Sequence, residues 1–428
     1  MKPSDILGMN ARNHLYQSRY NRKSGKRIAD SKLLAKSLLR KHKLPVPKLF
    51  RVFRKEKEVE IFNFSRLPAS FVVKPNSGLG GEGIVVMEKG GLYAGEWIDV
   101  TGKIWRVDDL KLLIKDIILG RYSMKNLPDQ AFVEERVCIH PKFKHITYQG
   151  TPDIGVLVFN RVPVMAFLRL PTSESAGKAN MFQGAIACGI DVATGITTHA
   201  IKHTHEVVFY PGSRRKLRGI KIPLWDEVLQ LAVECSIISD LGYMRADIVI
   251  DPMKGLRVLE LNAQPGLKIQ LANQAGLRKR LERVEGLKVK TAKKGVKIAK
   301  ALFANPDIAE KVGDEKKVVN VFEEIEVVDY GGERQKVKAK IDTGAFRTSI
   351  DQGLAETLGL LAPENILWRK GYKSSLGREE RPIVELTFYL QDEKIKTTAN
   401  VADRSNLKRR MIIGRRDLKG FLIKLDKD

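Results

Sequence analysis

Residues 71–86 read FVVKPNSGLGGEGIVV, two apolar runs around a stretch in which Gly78, Gly80, Gly81 and Gly83 fall within six positions. Runs rich in valine on either side of such a stretch predict two strands joined by a tight connection. Glycine removes every Cβ that would keep backbone amides from closing on an anion, and it accepts the left-handed backbone a phosphate cradle needs. Lys74 on the incoming strand adds a cation at the mouth of this loop, and Ser77 adds a hydroxyl. The loop lacks the Gly-Lys-Ser/Thr ending of a Walker motif, and it runs into a strand where GxGxxG would run into a helix. A glycine-rich hairpin alone is more often structural than functional, so its role depends on whether a second half-site exists.

Residues 245–250 (RADIVI) and 256–262 (LRVLELN) supply one, as two strands joined by the turn 251–255 (DPMKG). Glu260 and Asn262 are two apart on a strand, so both side chains leave the same face. Asp247 can stand opposite them on the neighbouring strand. Three hard oxygen donors on one face suit Mg2+, with Mn2+ the next cation such a set accepts, and they leave positions for water and phosphate oxygens. A solvated strand face also carries charge, but asparagine disfavours strands, and Asn262 is followed at once by Ala263, Gln264, Pro265 and Gly266.

Together the two half-sites resemble the ATP-grasp superfamily, and within it the alpha-L-glutamate ligase-like branch related to RimK. The resemblance also covers residues 6–21 (ILGMNARNHLYQSRYN), 28–47 (IADSKLLAKSLLRKHKLPVP) and 174–191 (ESAGKANMFQGAIACGID), and so nearly all of residues 5–300. It implies an α/β (α+β) ligase fold over residues 1–304, with a glycine-loop lobe at roughly 45–135. It also implies that Lys32 and Lys74 contact phosphates beneath the glycine loop and Ser77. Glu134 and Glu135 would lie at the adenine and ribose end, and Asp247, Glu260 and Asn262 would hold Mg2+. Arg169 would steady an acyl phosphate or an acidic substrate, assisted by Arg245. One position departs from the pattern: where glutamate ligases have Asp-x-Arg, this chain has Asp153-Ile154-Gly155, which leaves the amino-acid substrate open.

The implied chemistry activates a carboxylate with ATP and lets an amine displace phosphate, a reaction of positioning and electrostatics that needs no protein nucleophile. Cys138, Cys188 and Cys235 therefore read as small core residues. The expected substrates are an amino acid, glutamate foremost, and a protein or peptide acceptor.

A different chemistry is written near the end of the chain. Residues 337–341 (VKAKI) alternate apolar and basic, which predicts a half-buried strand delivering Asp342 to a turn made by Thr343 and Gly344. Ile412, Ile413, Gly414 and Arg415 follow about seventy residues later. The hairpin signal Tyr330-Gly331-Gly332-Glu333 stands ahead of both. Asp342, Thr343 and Gly344, with residues 381–390 and 401–418, resemble the retropepsin-like aspartic peptidases, in particular the single-lobed bacterial family often labelled ATP-dependent zinc protease. The resemblance implies a small all-β domain over 318–428 behind a linker at 305–317. Its mechanism needs two carboxylates sharing one proton, and the chain has a single Asp-Thr-Gly, so the active form would be a homodimer. An ordinary Asp-Gly turn is the plainer alternative. No histidine follows His205 and no cysteine follows Cys235, which excludes a His/Cys zinc site in this domain.

The formal net charge of +26 concentrates in residues 12–57, 202–221 and 278–300. Such a field attracts polyanions, ribosomes and polyglutamate tails alike, but the basic runs carry few aromatics and no nucleic-acid motif. Three cysteines without paired spacing, no secretory leader and no apolar run of membrane-spanning length point to a cytoplasmic protein without membrane insertion. Helical periodicity is expected over 30–42, over 225–241 and after Gly295. Two alternatives stay open: a catalytically silent C-terminal module that dimerises or binds peptides, and a basic ribosome- or nucleic-acid-associated factor that binds ATP without ligating.

Overall fold

In the computed structural model, which describes residues 3–78, 80–123, 126–304, 317–374 and 377–424, the chain divides into two units, Met1–Gly286 and Leu287–Asp428. Near the start of the first unit, α1 (Lys32–Lys41) begins where the Ser31 side chain accepts the Leu34 N–H, satisfying one of the orphan donors of a helix start. It occupies the stretch where helical periodicity was expected. The strands β1 (Leu49–Phe53), β2 (Phe71–Pro75), β3 (Val85–Gly90), β4 (Glu96–Asp99), β5 (Ile104–Arg106) and β6 (Ala131–Glu134) form a six-stranded sheet ordered β1-β6-β2-β3-β4-β5. Every neighbouring pair in it is antiparallel. Helix α2 (Val107–Ile118) buries Leu110, Leu113, Ile114, Ile117 and Ile118, the stripe of a helix facing a core. That stripe joins Phe53, Phe71, Val73 and Val133 of the sheet in one apolar cluster. Each such side chain contributes roughly 1.5–3 kcal/mol when fully buried.

A second sheet carries the rest of the first unit. Its strands are β7 (Asp153–Phe159), β8 (Val162–Leu170), β9 (Ile186–Ile190), β10 (Thr197–Lys202), β11 (His205–Glu206), β12 (Tyr243–Asp251) and β13 (Gly255–Asn262), ordered β11-β10-β9-β8-β7-β12-β13. β7, β9 and β12 are buried at every residue, as strands covered on both faces must be. Helix α3 (Trp225–Ser239) packs on β7, β8 and β12, and the short helix Ile269–Asn273 packs on β8, β9 and β10. Gly189 permits the latter approach, since a Cβ there would stand 2.3 Å from the Ala272 carbonyl oxygen. Both hairpins expected from the sequence form: β2 pairs antiparallel with β3, and β12 with β13.

The second unit opens with α4 (Ala292–Phe303), capped by the Thr291 hydroxyl. The helix was expected only after Gly295, but it starts a turn earlier. Gly295 sits buried inside it, so burial of the surrounding face outweighs its poor helix propensity. Of the segment expected to be a linker, residues 305–316 lie outside the described residues.

The strands that follow are β14 (Lys317–Asn320), β15 (Phe322–Val328), β16 (Arg334–Asp342), β17 (Ser349–Asp351), β18 (Ile366–Ser374), β19 (Gly377–Leu390), β20 (Glu393–Ala402), β21 (Met411–Gly414) and β22 (Phe421–Lys424), with the short α5 (Gln352–Thr357) after β17. Their order β15-β16-β21-β17-β20-β19-β18, with β15 also pairing β19, closes a β-barrel. β16 alternates exposed and buried from Lys336 onward, with Val337, Ala339 and Ile341 inward. Those three pack with Ile325, Phe388, Val401 and Ile413 in the barrel core.

Candidate active site

Contacts from several segments hold the described residues of the glycine loop. Gly80, Gly81 and Gly83 have φ of +64°, +79° and +68°, the left-handed region that side chains resist. The Asn76 carboxamide accepts from the Leu33 N–H and from the Ser31 hydroxyl, both at 2.9 Å, tying the end of β2 to the start of α1. Asp129 accepts from the Ser77 N–H at 2.8 Å, and Gly78 bridges to Ser123. From the other side, Asn180 donates to the Gly80 carbonyl at 3.0 Å, and the aliphatic part of Lys178 lies 3.4 Å from where a Gly81 Cβ would be.

Two lysines meet one buried glutamate next to this loop. Glu134, on β6, accepts from Lys74 at 2.6 Å and from Lys36 at 2.7 Å. Burial pushes the Glu134 carboxyl up, but the ammonium groups of Lys74 and Lys36 outweigh it and hold the group below its ordinary range. Burial draws the Lys36 ammonium down despite its partner. Glu135 accepts from the Lys48 N–H at 3.2 Å and pairs with Lys254.

The other half-site is a lattice of arginines and carboxylates. Asp247 stands opposite Glu260, Arg245 opposite Asn262, and Asp153 opposite Arg169 in the strand registers. Arg245 donates to both oxygens of Asp247, at 2.6 and 2.8 Å. Arg169 donates to both oxygens of Asp153 at 2.6 Å and reaches across to Asp247 at 2.8 Å. Burial pushes the Asp247 carboxyl up, yet Arg169 and Arg245 more than offset it and bring it down to about 2. Asp153 is pushed up to about 6 by burial and by the charge of Asp247, against the pull of Arg169. The Phe167 ring lies 5.6 Å from each guanidinium, within the reach of cation–π attraction.

Gly155, in the position where the resembled ligases carry an arginine, has no room for a side chain. A Cβ there would stand 2.2 Å from the Phe167 ring and 3.1 Å from Arg245 Cδ. Arg245 thus occupies the space on that face.

The Asn262 amide donates to Asp247 at 3.1 Å and to Glu260 at 3.3 Å, so the three side chains named as a cation site converge on one another. Two carboxylates and an amide are donors of the kind Mg2+ takes, although here the Asn262 NH2 faces the carboxylates and Asp247 also accepts from both guanidiniums. Lys32 then links the half-sites: its ammonium donates to the Gly78 carbonyl at 3.0 Å and lies 3.9 Å from Glu260.

Lys36, Asn76, Asp129, Lys178 and Asn180 join the site without having been expected from the sequence. Lys36 had a signal, since it lies one helical turn from Lys32 on the same face of α1. The others are placed by contacts between distant segments. Cys188 and Cys235 are buried as expected, and burial pushes both thiols up. Cys138 is exposed instead, because it follows the end of β6 in irregular backbone whose amide is held by Asp251 at 3.1 Å.

In the second unit, β16 ends at Asp342, which pairs in parallel register with Gly414 of β21. One Asp342 oxygen accepts from the Gly344 and Ala345 amides at 3.0 and 3.2 Å; Thr343 and Gly344 are exposed. A Cβ on Gly414 would stand 2.4 Å from the Arg347 carbonyl carbon, so the two motifs are in contact. The buried Thr348 hydroxyl donates to Asp417 at 2.5 Å and accepts from the Gly414 amide at 3.3 Å. Asp417 also accepts from Thr397 and Arg416. Asp417 lies within the resembling residues 401–418 and Thr348 shortly after the Asp342 turn, but no spacing in the sequence marks either. Arg404, whose amide donates to Asp351 at 3.0 Å, stands within electrostatic reach of Asp342.

Among the described residues no helix is long and apolar enough to cross a membrane. No curated protein matches the chain. Among solved structures, the chain is similar to the ATP-grasp ligase PsnB complexed with a minimal precursor, at 17% identity with a TM-score of 0.32, and the match spans 62% of this chain and 62% of that ligase's length. It is similar also to Lpg0085 of Legionella pneumophila, a protein of unknown function, at 19% identity over 26% of this chain and 92% of that one, TM-score 0.17. A third similarity is to the simian foamy virus protease, at 21% identity over 23% of this chain and 90% of that one, TM-score 0.18. Residues 11–286 match the family model described as sugar-transfer associated ATP-grasp. The glycine loop, its lysines and the facing carboxylates all fall within that match, and the chain belongs to the sugar-transfer associated ATP-grasp family.

Proposed function

We propose that the first unit is an ATP-dependent carboxylate–amine ligase that joins an amino acid, glutamate foremost, to a protein or peptide. The observation that carries this reading is Lys32, whose ammonium faces the Gly78 carbonyl on one side and Glu260 on the other. A lysine so placed supports a path in which a terminal phosphate leaving the loop meets the carboxylate cluster. Lys74 and the loop amides position the phosphates of ATP, and Ser77 and the left-handed glycines keep those amides aimed inward. Glu134 and Glu135 lie at the end of β6, the side assigned to adenine and ribose. Mg2+ held by Asp247, Glu260 and Asn262 would neutralise phosphate oxygens.

In the reaction, an oxygen of the acceptor carboxylate attacks the γ-phosphorus and ADP departs. The amine of the incoming amino acid then attacks the acyl carbon, and inorganic phosphate leaves. Arg169 and Arg245, fixed by Asp153 and Asp247, supply oriented positive charge to the acyl phosphate at no reorganisation cost.

Phosphate release should be measured with ATP and Mg2+ across the twenty amino acids and short acidic peptides, with product mass followed in parallel. The expected result is amino-acid-dependent turnover with a mass gain of one or more residues, abolished by Lys74→Ala and Glu260→Ala. ATP hydrolysis that never depends on an amine, or its complete absence with every acceptor, would sink the ligase assignment.

For the second unit, the Asp342 turn locked against Gly414 supports a retropepsin-like aspartic peptidase that works as a homodimer, each chain supplying one aspartate. Its role would be to process the product of the first unit. The competing reading is a silent peptide-binding module, favoured by the single Asp342 that one chain supplies where the chemistry needs two carboxylates. Peptide hydrolysis with an acidic optimum that disappears in Asp342→Asn supports the peptidase; turnover unchanged by that substitution supports the module.

A further inference from the structure

Two adjoining cavities, of about 510 and 420 Å3, share Lys36, Arg40 and Leu49 and run between the outer face of α1 and the edge strand β1. Both lie in the first unit. Six cations besides Lys36 line them, Arg27, Arg40, Lys43, Lys48, Arg54 and Arg257, and no carboxylate does. Lys36 is neutralised from behind by Glu134. Arg27, Arg40, Lys43, Lys48 and Arg54 are exposed and form no salt bridge with a described residue. Among the described residues β1 pairs only with β6, so its other edge has no strand partner beside these cavities.

We infer that this groove docks an acidic peptide, laid along β1 with its carboxylates among the six cations, and that in the ligase it holds the acidic segment of the acceptor. The inference rests on the ligase reading only for the identity of the peptide. Cations on an edge strand also serve to block unwanted strand pairing. Here, however, they come from five separate segments, namely the helical segment before α1, α1 itself, the loop after it, the connection after β1 and β13, and they converge on two cavities. A guard for one edge needs no such convergence.

Charge complementarity selects an anion, and the rest of the lining selects its kind. Single-stranded nucleic acid is gripped by aromatic rings that stack its bases, and neither cavity has an aromatic lining residue. The floor is aliphatic instead, with Leu33, Leu34, Leu49 and Val52, which suits the methylenes of glutamate side chains and the alternate residues of an added strand.

Helix α1 connects this groove to the nucleotide loop. Lys32 faces Gly78 and Glu260, and Lys36, one turn on, faces Glu134. Arg40, a further turn on, lines the groove. A peptide held there is therefore fixed on the same helix that contacts the reacting end of ATP.

The test is fluorescence anisotropy of the full chain with a labelled decaglutamate, without ATP or amino acid, against decaglutamine and a ten-nucleotide single-stranded RNA. The double variant Arg40→Glu/Arg54→Glu should weaken decaglutamate binding by about 10-fold or more, given up to about 1 kcal/mol for each exposed charge interaction reversed. The control Arg214→Glu/Arg215→Glu, with equal charge change on another exposed segment, should change it less than about 2-fold. Both variants should bind a fluorescent ATP analogue as the parent does, which shows that they fold. Equal losses in the two variants would reduce the effect to the overall charge field and overturn the proposal. Tighter binding of the RNA than of decaglutamate, lost in the groove variant, would overturn it in favour of a nucleic-acid surface. Because no turnover is read, failure here leaves the ligase assignment untouched, and failure of the turnover assay leaves this result interpretable.

Discussion

Asp247, in the first unit, is 1% exposed and accepts hydrogen bonds from Arg245, Arg169 and Asn262. Asp342, in the second, is half-buried and accepts two, both from the backbone of its own turn. A carboxylate taken fully out of water needs its counter-charges built beside it, and the first unit supplies them from β8 and β12 within one chain. Asp342 keeps contact with solvent and needs little. The charge of Asp247 is therefore balanced within one chain, whereas Asp342 is held by backbone donors of its own turn.

Breaking this contrast at its strong end should give the largest effect. Asp247→Asn leaves Arg245 and Arg169 facing a neutral amide in a buried site, and removing one partner of such a set costs about 3–5 kcal/mol. Urea unfolding followed by tryptophan fluorescence reads the first unit well, because Trp97, Trp105 and Trp225 lie in it. Parent stability should also fall as pH drops from 3.8 toward about 2, the window between the ordinary value of Asp247 and its depressed one. A carboxyl depressed in the folded state contributes stability above its unfolded value and loses it as it protonates. The variant should lack that acid limb. A loss below about 1 kcal/mol, or an unchanged acid limb, would show that the arginines are satisfied in some other way.

Gly155→Ala comes next. The added methyl meets the Phe167 ring at 2.2 Å, and overpacking of this kind costs about 1–3 kcal/mol. Since Phe167 lies against both guanidiniums, ATP-dependent turnover should fall more than stability does, while any activity of the second unit is unchanged. If turnover survives intact, Arg169 and Arg245 are not held in place by that ring.

Ser31→Ala should show a smaller effect, about 1 kcal/mol for the lost cap. It also removes one of the two hydrogen bonds by which the Asn76 carboxamide holds the start of α1, so KM for ATP should rise while the thermal transition moves little. A change in stability with no change in KM would mean that the cap serves the helix alone.

These sites differ in how far the sequence exposes them. Glu260, Asn262 and the facing Asp247 were legible because a two-residue period on a strand fixes a face, and the Asp251–Gly255 turn fixes which strand lies opposite. The glycines of the loop were legible because few other reasons crowd four of them together. The Lys36–Glu134–Lys74 cluster was not, since it joins α1, β6 and β2, and nothing local announces which helix face meets which strand. Arg169 and Asp247 lie 78 positions apart; their contact follows from β7 standing between β8 and β12 in the sheet, an order that periodicity cannot supply. The start of α4 was misplaced for the opposite reason, a local propensity rule overridden by burial. In the second unit the alternation of β16 placed Val337, Ala339 and Ile341 inward and brought Asp342 to a strand end, but the parallel pairing with β21 comes from barrel closure.

The weakest expected effect tests the other end of the contrast. In Asp342→Asn the amide oxygen can still accept from the Gly344 and Ala345 N–H groups, so the turn keeps both of its hydrogen bonds. Neither donor is charged, and the side chain is not deeply buried, so stability should change by no more than about 0.5 kcal/mol. That near-silence makes the substitution informative, because any loss of peptide hydrolysis then reports on the carboxylate as a proton-transfer group and not on the barrel. Sedimentation of the full chain, parent beside variant, separates the remaining cases. A parent that dimerises and hydrolyses peptide, with a variant that dimerises and does not, places the second carboxylate in another copy of the chain. A drop of about 2 kcal/mol or more in the variant would instead mean that Asp342 has buried partners like those of Asp247, and the contrast between the two units would fail at its weaker member.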